Sequence, residues 1–233
     1  MRENFSDMIP GIGFYATVLA YIPQRLYIPI LILSILLYGP VKMGVTYVFR
    51  NFAREEHAWL SDVFSRALSN LKQGLFFGIL DFVVVTVLLN SIFVGYTSEI
   101  TTGIVIAYIL KYLSIFFLVV YLFMRHYFYI MAVTVELSVF AIIKNAWLFT
   151  VLGFGRNILT SISCIVIWCL TLFTLPLVTV AALPLFTYSL CGFATVFVCY
   201  PIVKKYIIVP ALELEKAAKL KEQSEGSLED GNK

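Results

Sequence analysis

The sequence predicts an all-α protein, a polytopic helical membrane bundle of about five transmembrane helices, six being the alternative, with amphipathic cytoplasmic elbow helices. Three observations lead there. Of 233 residues, 61% are hydrophobic and only 13% charged, with a mean hydropathy of +0.91. An ordinary globular domain has roughly 45–50% apolar and ~25% charged residues, so a soluble chain of this composition would lack the polar surface to cover its interior. The chain also holds several uncharged stretches of the roughly 20 residues that a membrane-crossing helix needs, and its Lys and Arg collect between and after them. The same figures exclude a disordered protein, a secreted disulfide scaffold and a nucleic-acid-binding domain.

The clearest stretch, 157–203, contains no Asp, Glu, Lys, Arg or His. It is too long for one span and about right for two. Pro176 and Pro184 flank the predicted break, which places spans at 158–177 and 181–203. Residues 74–94 form another span, interrupted by Asp81, and residues 102–124 the next, interrupted by Lys111. The link between them is short and carries no Lys or Arg. Towards the N-terminus, a short helix over 11–22 precedes one kinked span that contains Gly39-Pro40 and ends near Arg50. A hairpin of two short helices is the alternative there. Proline is tolerated in membrane helices where neighbours satisfy the freed carbonyl. Glu3 and Asp7 stand where a secretion signal would be basic, so an uncleaved N-terminus is expected.

Two stretches remain, 50–73 and 125–156. From Leu60, the positions Leu60, Val63, Phe64, Ala67, Leu68 and Leu71 share one helical face, while Asp62, Ser65, Arg66, Ser69, Asn70 and Gln73 share the other. This is the pattern of a helix lying in the interface plane, with Ser61 as N-cap and Asp62 in the first turn. The second stretch is apolar enough to span but is interrupted by Glu136, Lys144 and Asn145. Charge placement decides its reading. Lys42, Arg50, Arg54, Arg66 and Lys72 lie before the second span, and Lys204, Lys205, Lys216, Lys219, Lys221 and Lys233 in the tail. Both groups belong on the cytoplasmic side, so the chain between them crosses an even number of times. Residues 125–156 are then a bent, half-buried cytoplasmic elbow, with the N-terminus outside. Each half reads as elbow, span, link, span, a weak internal echo supported by Val63-Phe64 and Asn70 against Val139-Phe140 and Asn145. Residues 1–205 thus form a single membrane domain, and residues 206–233 a cytoplasmic helix with a disordered tail, in which Glu215 and Lys219 pair at i,i+4.

The run Gly39-Pro40, Tyr47-Val48-Phe49-Arg50, Arg54-Glu55-Glu56-His57, Asp62-Val63-Phe64 and Asn70-Leu71-Lys72-Gln73-Gly74 resembles the YesL-like family of bacterial integral membrane proteins. The run 127–145, ending in Lys144-Asn145-Ala146, and the spans that follow are similar to it as well. The resemblance covers roughly residues 25–205. It implies a compact multi-pass protein in the cell membrane of a Gram-positive bacterium, encoded near carbohydrate uptake and breakdown systems. It supplies no settled activity and no catalytic residues.

Ionisable groups within spans are functional candidates by default. Asp81 and Lys111 are the candidate intramembrane polar pair. At 1.5 Å per residue they lie roughly 10 and 20 Å from the cytoplasmic end, an offset of ~10 Å that a bundle-aligned lysine would have to bridge. Arg54, Glu55, Glu56, Asp62, Asn70, Lys144 and Asn145 are the candidate partner-docking elbow, and each also reads as part of a solvated bend. Glu136 and Lys144 are placed to hold the second elbow against the first. Arg125-His126 with Tyr127 and Tyr129 reads as an interfacial rim. Trp59 and Trp147 read as interfacial anchors, and Trp168 as packing. Cys164, Cys169, Cys191 and Cys199 read as small apolar packing residues. No hydrolase, zinc-protease or phosphate-loop motif is present in the sequence, so neither enzymatic activity nor a cofactor or metal is expected. The expected function is that of a membrane accessory or scaffold protein, associated with a carbohydrate transporter component or its regulation. A small oligomeric transporter or channel is the alternative. The lipid bilayer is the other expected partner, nucleic acid is not one, and the oligomeric state is open.

Overall fold

The computed structural model describes residues 23–102, 105–172 and 186–230. The predicted N-terminal helix and the break between Pro176 and Pro184 lie outside them. The described residues form helices without a strand: α1 Gln24–Ala53, α2 Leu60–Ser69, α3 Leu71–Thr102, α4 Val105–Thr134, α5 Val139–Leu152, α6 Phe154–Leu172, α7 Tyr188–Val203 and, after a π-helical turn at Lys204–Ile208, α8 Val209–Asp230. Five of these segments are long and apolar enough to cross a membrane: Arg25–Ala53, Leu71–Ser98, Val105–Thr134, Phe154–Leu172 and Tyr188–Ala217. The fold is therefore the expected all-α bundle, and the protein is an integral membrane protein. The π turn joins α7 to α8 without a break, and the helix continues through Asp230, where composition alone predicts an unstructured end.

α1 and α3 cross at glycines. A Cβ on Gly39 would lie 1.8 Å from the Gly74 carbonyl oxygen, and one on Gly78 would lie 2.9 Å from the Gly39 nitrogen. Small residues permit such backbone contact in membranes, where burial of apolar surface against lipid provides little drive for association. Pro40 sits at the same crossing, inside the continuous helix α1.

α2 follows the tight bend after α1, where Arg54 and Glu56 form an exposed ion pair at 2.6 Å. The helix starts one residue earlier than its predicted cap: Leu60 is already helical, Trp59 precedes it, and the Asp62 carboxylate accepts the Trp59 N–H at 2.8 Å. Ser61 is thus inside the first turn. Val63 touches Gly44 of α1, whereas Leu60, Phe64 and Leu68 are exposed, at 76%, 66% and 71%. No residue of α2 is buried. An amphipathic helix that leaves its apolar stripe uncovered by its own fold is suited to the lipid interface.

The second elbow differs from its prediction. α4 does not stop before Arg125 but continues to Thr134, so Arg125 and His126 lie inside a spanning helix rather than on a rim. The bend is confined to residues 135–138, and Ser138 caps α5 by accepting the Ala141 N–H at 3.4 Å. α5 has 14 residues, about 21 Å of helix against a hydrocarbon core of about 30 Å. It is too short for the sixth crossing. It is also apolar rather than amphipathic: Ile142, Ala146 and Phe149 face the core while Phe140, Leu148 and Val151 are exposed. Trp147 lies among Val83, Val87, Phe117 and Met124, so α5 leans into the bundle alongside the spans instead of lying flat.

The core concentrates where α4, α5 and α7 meet, around Tyr127, Phe128, Ile130, Ile142, Phe149 and Val203. A buried polar clamp joins α4 and α5 to α6: the Tyr127 hydroxyl donates to Asn157 Oδ1 at 2.7 Å, and Asn157 Nδ2 donates to the Thr150 carbonyl at 3.1 Å. Gln73 Nε2 reaches the Leu137 carbonyl at 3.0 Å, and the Arg50 guanidinium reaches the Val133 carbonyl at 2.6 Å. These two bonds place both bends at the same end of the bundle.

Candidate functional site

α4 positions three polar groups with helical spacing. Tyr121, Arg125 and Tyr129 stand at i, i+4 and i+8, hence on one face. That face meets α3 at Asp81, which is 4% exposed. Its Oδ1 accepts the Tyr121 hydroxyl at 2.6 Å, and its Oδ2 accepts Arg125 Nε at 2.8 Å and the Tyr129 hydroxyl at 2.9 Å. Charged groups persist at such depth when they are paired and hydrogen-bonded, as this carboxylate is. On the other side, Arg125 donates to the Tyr38 hydroxyl of α1, which also accepts Lys42 Nζ at 3.2 Å. Tyr38 and Lys42 again share a face at i,i+4. The Lys42 ammonium lies 4.2 Å from the centroid of the Tyr129 ring, a favourable cation–π geometry.

This arrangement replaces the expected Asp81–Lys111 pair. Asp81 pairs with Arg125. Lys111 packs against Gly95, fourteen residues further along α3, which is about 20 Å away by helical rise. Its ammonium lies 4.6 Å from the Tyr112 ring centroid.

A cavity of about 370 Å³ opens beside the network, between α1, α4, α6 and α7. Lys42, Arg125, His126, Trp168 and Tyr188 are among its walls. Trp168 thus lines a cavity rather than filling the packing of its span. Half-buried Cys164 and Cys191 lie on the same wall, while Cys199 is buried and Cys169 exposed.

The elbow end carries a second, polar concavity of about 460 Å³. Tyr47, Arg50, Arg66, Asn70, Gln73 and Glu136 line it. Tyr47 meets two cations there: the Arg50 and Arg66 guanidinium carbons each lie 4.5 Å from its ring centroid. Of the predicted docking residues, Asn70 lies in this cleft. Arg54, Glu55, Glu56 and Asp62 stand around the bend before and at the start of α2, and Lys144 and Asn145 lie on α5; none of these six lines the cleft. Glu136 is at the cleft and Lys144 is not, so the bends are held by Gln73 and Arg50 rather than by a Glu136–Lys144 contact. Reading the sequence missed Arg50, Tyr47 and Gln73 as site residues. The only available signal was the spacing of Arg50 and Tyr47 at i,i−3 on one helical face.

Fold and sites together define a polytopic helical membrane protein with a charged, tyrosine-lined interior and a polar cleft at the end where its bends meet. No protein-family model, curated protein or solved structure matches the chain.

Proposed function

We propose that this is a non-enzymatic membrane accessory protein of the YesL-like kind, which docks a partner through the end that carries its bends. The observation that supports it is the polar cleft bounded by Arg50, Arg66, Asn70, Gln73 and Glu136, built from three separate chain segments at the end of the bundle. In this reading the uncovered stripe of α2 lies in the lipid headgroup region of the cell membrane, and the two bends, with the basic residues Arg50, Arg54, Arg66 and Lys72 around the first, and the lysine-rich carboxyl-terminal helix face the cytoplasm. The resemblance makes a carbohydrate transporter component the first partner to look for. A helix seated in the interface and tied to α1 through Gly44 and Tyr47 can pass movement from a docked partner to the spans.

Affinity purification from native membranes in mild detergent, followed by mass spectrometry, tests this. The expected result is a membrane protein partner in stoichiometric amount. Arg66→Glu, which reverses the charge at the mouth of the cleft, should lose that partner while the protein itself is recovered at the wild-type level. Recovery of copies of this chain alone, or equal recovery with Arg66→Glu, contradicts the reading.

A second reading, a small solute transporter or channel, draws on the interior cavity with its cationic wall. It predicts a transport activity lost on replacing Lys42, which lines that cavity, by Met, a change remote from the cleft.

A further inference from the structure

We propose that the interior cavity between α1, α4, α6 and α7 is a binding site for a small organic monocarboxylate, with Lys42 as its principal anchor. The reading goes beyond partner docking and does not depend on it, because cleft and cavity share no lining residue.

Charge balance carries the argument. Asp81 is buried and is fully engaged by Arg125, Tyr121 and Tyr129. That pair is neutral overall. Lys42 adds an amine to the same wall, and among the described residues no carboxylate lies within ion-pair distance of it. The Tyr38 hydroxyl accepts one of its three N–H groups, and the Tyr129 ring supports one side. A cation inside a low-dielectric bundle is costly without an opposing charge. A bound monocarboxylate would supply that opposing charge and let Lys42 hold its proton, and a single ammonium matches one carboxylate better than a phosphate dianion.

A second polar group points the same way. His126 lines the cavity, and its Nε2 is buried with no hydrogen-bond partner among the described residues. Buried ring nitrogens of this kind are normally satisfied. Nε2 is closed off from the cavity as the ring stands, so a turn of the His126 side chain would present it to the second oxygen of a carboxylate held by Lys42. The remaining walls are apolar or aromatic, including Val45, Leu122, Trp168 and Tyr188, and they favour a compact hydrophobic or aromatic body behind the carboxylate. At about 370 Å³ the cavity is at the small end of ligand sites.

Benzoate is the probe, with benzamide and benzylamine as its neutral and cationic counterparts. All three are titrated at constant ionic strength into the full-length protein in phosphatidylcholine nanodiscs, with thermal unfolding and tryptophan fluorescence as readouts. Benzoate should raise the unfolding midpoint saturably and change the tryptophan emission, and neither counterpart should do so. Lys42→Met, which keeps the length of the chain and removes the charge, should weaken benzoate about tenfold or more. His126→Phe should weaken it by a smaller factor. The wild-type comparison stands even if a variant fails to fold. Failure of benzoate to bind saturably, equal effects of benzoate and benzamide, or unchanged affinity in Lys42→Met overturns the assignment. A Lys42-dependent stabilisation by phosphatidylglycerol without one by benzoate assigns the site to a lipid headgroup and overturns it as well.

Discussion

Replacing Asp81 by Ala should be among the most damaging single substitutions in the chain. It removes the acceptor of three bonds and leaves the Arg125 guanidinium inside the bundle with Tyr38 as its one remaining hydrogen-bond partner among the described residues. Breaking a buried pair from one side costs about 3–5 kcal/mol, because an uncompensated charge stays behind. For a chain of this length that corresponds to an unfolding midpoint lower by at least about 6 °C in detergent. The tyrosines should matter far less. Interhelical hydrogen bonds in membranes average about 0.6 kcal/mol, so Tyr121→Phe and Tyr129→Phe should each be mild. The double variant Asp81→Leu with Arg125→Leu should recover most of the loss, since an apolar pair of similar bulk replaces a neutral salt bridge at little net cost. Equal destabilisation by Asp81→Ala and Tyr121→Phe would contradict the ion pair as the organising contact.

Gly39→Val is the second large effect. The first side-chain carbon would meet the Gly74 carbonyl oxygen at 1.8 Å, and that neighbour is backbone, which cannot swing aside. The two helices must separate, and the contacts of Gly78 with Gly39 separate with them. Overpacking in well-packed interiors costs roughly 1–3 kcal/mol and occasionally more, and a backbone clash on both sides of one crossing belongs at the top of that range. By contrast Gly155, which has open space around its Cβ position, should accept Ala with little change. Thermal unfolding of the two variants side by side measures the difference, and equal midpoints would argue against the close α1–α3 crossing.

Much of this architecture was legible from residue type alone. Lipid demands long uncharged helices, so the runs around 74–94 and 157–203 announced spans. The alternation of apolar and polar residues over 60–71 announced a helix with two faces, and the structure leaves its apolar stripe uncovered. What escaped has one physical origin. A charge was taken to mark the end of a span, and Arg125 was therefore placed outside the membrane. In the folded bundle Asp81 neutralises it, and α4 runs on for nine residues to Thr134. The same assumption paired Asp81 with Lys111, although helical rise already set them ~10 Å apart along the bundle. The spacing Tyr121, Arg125, Tyr129 carried the correct partner, and it becomes visible once an arginine flanked by tyrosines at i±4 is read as a face rather than a boundary. Asn157 was missed for a related reason: it opens a charge-free run, and uncharged polar residues leave no mark in a charge count. The interior cavity was not legible at all, because its walls come from four helices far apart in sequence.

Docking at this end requires that the two bends and the carboxyl-terminal helix share one aqueous face, with α5 entering and not crossing. Single cysteines at Ser65, Glu136 and Ser224, introduced after replacing the four native cysteines, test this with a membrane-impermeant maleimide applied to intact cells. All three should stay unlabelled until the cells are lysed, while a cysteine at Ser98, near the far end of α3, should label from outside. External labelling at Glu136 or Ser224, or opposite behaviour of Ser65 and Glu136, would contradict the shared face and remove the basis for docking there.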